Sequence, residues 1–184
     1  MTVTRDQLPP IALSVRQPWA WAIIHGGKVI ENRSLGSIKS GKMDCRRIAI
    51  HAASGMTEKE YRWSYDKLRD HGVACPQPSD LIRSAIIGAV SVVDIVSESD
   101  SPWFGKSRPG NHGLVLENPV PCEPIAAKGE LGYFAWKHAG EFALQAPWMA
   151  KYETALSEPG LFHALPLGFK GKPEKPFASA SRKK

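Results

Sequence analysis

The sequence is poor in cysteine, with three in 184 residues: Cys45, Cys75 and Cys122. They lie too far apart for a C-x-x-C clip, and an odd count does not suit a disulfide framework, so each reads as a separate thiol. Long apolar runs are missing too. No stretch approaches the roughly 18 residues that a membrane span requires, and residues 1–10 lack the basic and apolar regions of a secretory signal. The expectation is a cytoplasmic protein, monomeric and without a membrane partner. Signatures of phosphate-cradling loops, dinucleotide folds, nucleophile elbows and zinc proteases are absent, and the six histidines show no metal-ligand spacing with cysteines or carboxylates. Neither a cofactor nor a metal is therefore expected. Net charge is scarce over residues 1–165, at +1. Of the formal +6, a net +5 falls from residue 166 onward, in Lys170, Lys172, Lys175, Arg182, Lys183 and Lys184 against Glu174. A phosphate site in the preceding residues must be a local patch, whereas the tail attracts polyanions without a fold.

What is present suits a single domain, with 42% hydrophobic and 23% charged residues. Residues 13–27 read as a short strand, then a helix apolar almost all round and hence buried, with Pro18 in its first turn and a stop at Gly26-Gly27. In residues 28–33, period-two alternation sets Glu31 and Arg33 on one face and Ile30 on the other. In residues 47–51, Ile48 and Ile50 face a core while Arg47 and His51 face away from it. Thr57 with Glu60 forms a capping-box signature. The helix it opens carries Tyr61, Tyr65 and Leu68 on one stripe, ends at Gly72 and looks like a surface insertion. Residues 85–96 are apolar on both faces apart from Ser91 and Asp94, as in a sandwiched strand, and Gly88 marks a bulge or a close approach. A polar loop at 97–112 holds Trp103 and Phe104, and two further strands, 113–117 and 132–136, are separated by an extended stretch from Pro119 to Pro124. A short helix is expected at 147–156. The class is therefore α+β: a small mixed β-barrel over residues 11–137 with helices flanking a cleft, a helical extension at 138–165 and a basic disordered tail at 166–184.

The residues able to carry chemistry cluster early in the chain. Lys28 and Arg33 can hold phosphate, Trp19 or Trp103 can stack a base, and Gln17 or Ser54 can bond to a base edge, with Arg16 and His51 completing the set. Each also has a purely structural reading: Trp19 as a core aromatic, Glu31 with Arg33 as a salt bridge closing the barrel, Lys28 as a charge on a helix C-terminus, and His51 as a satisfied core histidine. Asp94, a carboxylate in an apolar strand, needs a cation or a donor unless it lies at a strand end; Lys28 or Arg33 could supply one.

The strings Leu-Ser-Val-Arg-Gln-Pro-Trp-Ala (13–20), Gly-Gly-Lys-Val-Ile-Glu-Asn-Arg (26–33), Ile-His-Ala-Ala-Ser (50–54), Ile-Ile-Gly-Ala-Val (86–90) and Leu-Val-Leu-Glu-Asn-Pro (114–119) resemble the activating signal cointegrator homology (ASCH) domain. The resemblance implies a PUA-like barrel with a helix across a cleft. It further implies recognition of RNA, single-stranded DNA or a nucleotide in a cleft around Lys28, Glu31, Arg33 and His51. The alternative that it implies is a small hydrolase. Some members act as amidohydrolases on acylated cytidine, through a lysine in a Gly-x-Lys segment, a threonine three residues on and a later carboxylate; others are nucleases. Here Lys28 matches the lysine, Glu31 stands at the threonine position and Asp94 is the later carboxylate. A hydrolase of this kind would use Lys28 with Glu31 or Asp94 and water as the attacking group, on a modified nucleoside or RNA.

Overall fold

The computed structural model describes residues 2–106 and 109–152. The apolar alternations become six strands, β1 (Ile11–Val15), β2 (Ile30–Ser34), β3 (Arg47–Ala52), β4 (Ala85–Val96), β5 (Asn111–Ala126) and β6 (Tyr133–Ala135), with three helices, α1 (Trp19–His25), α2 (Leu35–Ser40) and α3 (Glu58–Asp70). The strands form one mixed sheet in the order β2-β5-β4-β3-β1-β6, in which only β1 and β3 run parallel. The α+β class is as expected. The barrel, however, is a half-barrel: β2 and β6 are its edges, and no ladder joins them among the described residues. α2 and the turn after it span the gap, where Tyr133 N donates to Gly41 O (3.0 Å) and the Tyr133 hydroxyl to Asp44 O (2.9 Å).

α1 lies against the concave face. Its buried Ala20, Ile23 and Ile24 join Leu13, Val15, Ile48, Ile50, Val90 and Leu114 in the main core. Seven residues are too few for a helix to persist on propensity, so burial holds it in place. Pro18 occupies the N-cap rather than the first turn and has no side-chain acceptor to offer, so Gln17 Oε1 accepts from Trp21 N instead (3.0 Å). The close approach expected at Gly88 is real: a Cβ there would lie 2.4 Å from Val120 O and 2.8 Å from Ile24 Cδ1. The β4 register shifts at the same point, between Ile86 and Gly88. On the convex face, Ala12, Ala49, Ile86, Ala89, Cys122 and Phe134 form a second cluster.

β5 runs as one long strand where a strand followed by an extended stretch was expected. Pro119, Pro121 and Pro124 are tolerated because β2 pairs with β5 only from Asn111 to Val115. Beyond that point β4 is its only ladder partner among the described residues, apart from an isolated bridge of Val3 to Cys122, and an edge strand can spare the missing N–H groups. Asn118 takes φ of 50° at the shift between Glu117 and Val120, a backbone conformation that asparagine accepts more readily than most residues. α3, opened by the Thr57–Glu60 capping box, buries Tyr61 and Leu68 as its stripe foretells. Tyr61 packs with Met56, Leu81 and Met149 in a satellite cluster. Of the helix expected at 147–156, residues 147–149 form a turn instead and helical backbone begins at 150, running to 152; positions 153–156, together with the tail at 166–184, lie outside the described residues. Among the described residues no helix is long and apolar enough to cross a membrane.

The contact at Gly88 is testable. Gly88→Ala is expected to lower unfolding free energy by about 1–3 kcal/mol through overpacking. Gly36→Ala in α2, where the nearest atom to an added Cβ is 4.0 Å away, should be neutral or stabilise by up to about 1 kcal/mol. Urea titrations of the two variants against the parent decide between these outcomes.

Candidate functional site

The early cluster of polar residues divides between the two faces of the sheet. On the concave face, beneath α1, Lys28 and Glu31 are buried, with Lys28 Nζ 2.8 Å from Glu31 Oε2 and also donating to Ile30 O. Arg33 Nη2 lies 3.2 Å from Glu31 Oε1 and donates to Ser14 O on β1 at 2.7 Å. One carboxylate thus serves two cations, and the arginine crosses the open side of the half-barrel. Burial pushes the Glu31 carboxyl up, but the charges and hydrogen bonds of Lys28 and Arg33 outweigh it and hold the group below the usual carboxylate range. The barrel-closing ion pair is the reading that this geometry matches. Lys28 also caps α1, but with its backbone: the amide donates to Ala22 O (3.0 Å), while the ammonium turns to Glu31.

His51 is not in that network. It lies across from Ser14 in the parallel pairing of β1 with β3, on the convex face. Its Nε2 is 3.0 Å from Ala127 O and its Nδ1 3.0 Å from Ser14 Oγ. A carbonyl only accepts, so Nε2 carries the proton and the Ser14 hydroxyl donates to Nδ1. Burial pushes the imidazole below its ordinary range, and the bond to Ala127 only partly opposes this. The pair opens on a cleft of about 600 Å³ lined also by Ser54, Ser84, Lys128, Gly129 and Glu130. Ser54 is exposed at this cleft, so it accompanies His51 rather than Lys28.

A third arrangement follows α3. Trp19 meets Trp63 edge-on at a centroid distance of 5.8 Å, and Lys28 Nζ lies 5.8 Å from the Trp19 ring. Arg16 is exposed nearby and pairs with Glu60. At the other end of the helix Trp103 stacks on His71 at 4.2 Å, and its loop is pinned to β2 by Asn32, whose Nδ2 donates to Trp103 O (2.7 Å) and whose Oδ1 accepts from Gly105 N (2.9 Å). Trp63 and His71, the residue that caps the C-terminus of α3, are eight residues apart and lie on the same side of the helix.

Two expected site residues are placed elsewhere. Gln17 is 3% exposed, and both ends of its amide are engaged, Oε1 with Trp21 N and Nε2 with Ile82 O (2.8 Å), so neither is free for a base edge. Asp94 is exposed near the end of β4, accepts from Ile95 N and pairs with neither Lys28 nor Arg33. The apolar run around it hides the fact that burial ends at Val92. Ser14, Trp63 and His71 escaped the sequence reading. Ser14 sits in an ordinary strand alternation, and only the β1–β3 register places it opposite His51. The polar face of α3 gave no hint that Trp19 and Trp103 dock on it.

Glu31→Gln leaves two cations without their carboxylate and is expected to cost about 3–5 kcal/mol of stability in urea unfolding. Acidification should destabilise in two stages. The folded state holds the His51 pKa below 6.5, so the stability it contributes is full above that pH and is lost as pH falls toward the folded value. Glu31 follows below about 4.5, by the same sign. The charged side chains lining the His51 cleft are Lys128, Glu130 and Glu141. The stability gap between the parent and His51→Gln should accordingly narrow between pH 7 and pH 5, whereas a pH-independent gap would contradict the assignment.

No family model matches the chain, and no curated protein matches it. Solved structures of ASCH from Zymomonas mobilis and of two mutants of that protein are similar to it at 14% identity, over 79% of this chain and 94–96% of theirs, with TM-scores of 0.33–0.35. At that level the likeness assigns neither residues nor activity to this chain.

Proposed function

We propose that the chain is a binding module for single-stranded nucleic acid or a nucleotide, and that bases stack on the aromatic face along α3. The observation that carries the reading is Trp63, 59% exposed and held edge-on by Trp19. An exposed tryptophan fixed by a second aromatic ring is a ready stacking surface, because every base offers a π-face. His71 and Trp103 lie about 12 Å further along the helix axis, a spacing suited to a ligand of more than one nucleotide. Arg16, Lys59 and Lys67 flank this face and supply cations, although Glu60 and Asp70 partly offset them. The affinity should therefore come mainly from stacking, with a shallow salt dependence.

The hydrolytic alternative built on Lys28, Glu31 and Asp94 finds less support. Lys28 and Glu31 are committed to each other, and Asp94 is remote from both in its bonding.

Fluorescence anisotropy of a short single-stranded RNA at low and moderate salt tests the proposal, with the full chain compared against one ending at Leu165. Binding is expected to survive truncation and to weaken by about 1–3 kcal/mol in Trp63→Ala, whose exposed side chain can be removed without opening a core. Binding that disappears with the tail, falls steeply with salt and ignores Trp63→Ala would instead be counterion release by the terminal lysines and would overturn the reading.

A further inference from the structure

The convex-face cleft contains a group that the stacking reading does not use. Ser14 and His51 are 37 positions apart in sequence and meet through strand register, with the hydroxyl 3.0 Å from an imidazole nitrogen that has no other partner among the described residues. The opposite nitrogen is fixed by a carbonyl, which sets the tautomer needed for the near one to accept a proton. Nucleophile, base and a third group that orients the base are the ingredients of an activated serine. We propose that Ser14 is a nucleophile activated by His51, and that the cleft above it takes a small carboxylic ester.

Three further features support this. The cleft, at about 600 Å³, has the size of a small-molecule site. Position 129 is a glycine at the pair, where a Cβ would lie 2.6 Å from Ser14 Oγ and 2.5 Å from His51 Cε1, so any side chain there would cover the serine. None of the backbone amides of residues 128–131 has a protein acceptor among the described residues, so the loop that lines the cleft with Ser14 keeps N–H donors for a ligand.

The chemistry balances without a cofactor. Ser14 Oγ attacks the acyl carbon and passes its proton to His51 Nδ1, while a free loop amide receives the developing oxyanion. Collapse breaks the bond to the leaving oxygen, which takes the proton from Nδ1 and departs as an alcohol. Water repeats the sequence at the acyl-serine, releases the carboxylic acid and restores the hydroxyl. The charged side chains facing the cleft, Lys128, Glu130 and Glu141, belong to the covering segment, whereas Ser14 and Phe134 are the uncharged neighbours of the ring from β1 and β6. A neutral acyl group is the part that fits against the pair.

The test treats the full-length protein with a fluorophosphonate, which phosphonylates an activated serine with loss of fluoride, and maps the adduct by mass spectrometry. Labelling of Ser14 is expected in the parent, absent in Ser14→Ala and slower by about a hundredfold in His51→Gln. With p-nitrophenyl acetate, a nitrophenolate burst of one equivalent per chain should appear and vanish in Ser14→Ala. Trp63→Ala should label normally, which separates this proposal from the stacking one. An unlabelled Ser14 in the folded parent would falsify the proposal without recourse to any variant. So would labelling that His51→Gln, folded by circular dichroism, leaves unchanged.

Discussion

The fold depends on one buried carboxylate. Glu31 holds Lys28 and Arg33 together in the mouth of a half-barrel, and Arg33 carries the contact across the gap to the carbonyl of Ser14. A sheet whose first and last strands do not pair needs another closure, and here it is made by a guanidinium on one side and by α2 with Tyr133 on the other. A buried lysine and a half-buried arginine beneath α1 need an anion between them, because desolvated cations without one are costly. The same lysine reaches the Trp19 ring, and Trp19 meets Trp63 of α3, so the network is continuous with the contact between the two helices.

The sheet also explains why two separate polar networks coexist in a small domain. Strand alternation sends Glu31 and Arg33 to the concave side and Ser14 and His51 to the convex side, while the backbone of Ser14 belongs to both. The amide plane of one residue is tied to the ion network, and its side chain is tied to the imidazole. Restraint on the concave face consequently fixes the serine on the convex face, without any contact between the two sets of side chains.

Much of the fold was legible because it depends on local rules. The 85–96 strand, the bulge at Gly88 and the capping box at Thr57 and Glu60 all arise from short-range sterics and hydrogen bonding, which act between neighbours in sequence. α2 was missed because Gly36 weakens a pattern of only six residues, and the helix is held by the Ser34 cap to Ser37 N and by closure of the gap. β5 was read as broken because its prolines are tolerated only at an edge, and whether a segment is an edge is a property of the whole sheet. The site was half legible. Glu31 and Arg33 on one face followed from periodicity, but Asp94 was drawn into the set by an apolar run that ends before it, and Gln17 proved to be a helix cap.

By itself, then, the sequence determined which segments alternate, where α3 starts and stops, that Glu31 and Arg33 are neighbours, and that the net positive charge concentrates in the last nineteen residues. Tertiary structure alone decided which groups meet across long separations: Ser14 with His51, Trp19 with Trp63, Trp103 with His71, and Arg33 with the edge of β1. The physical reason is that periodicity fixes the direction of a side chain relative to its own element. Its partner is fixed by the register and the crossing of other elements, which depend on burial of the whole core rather than on any local stretch.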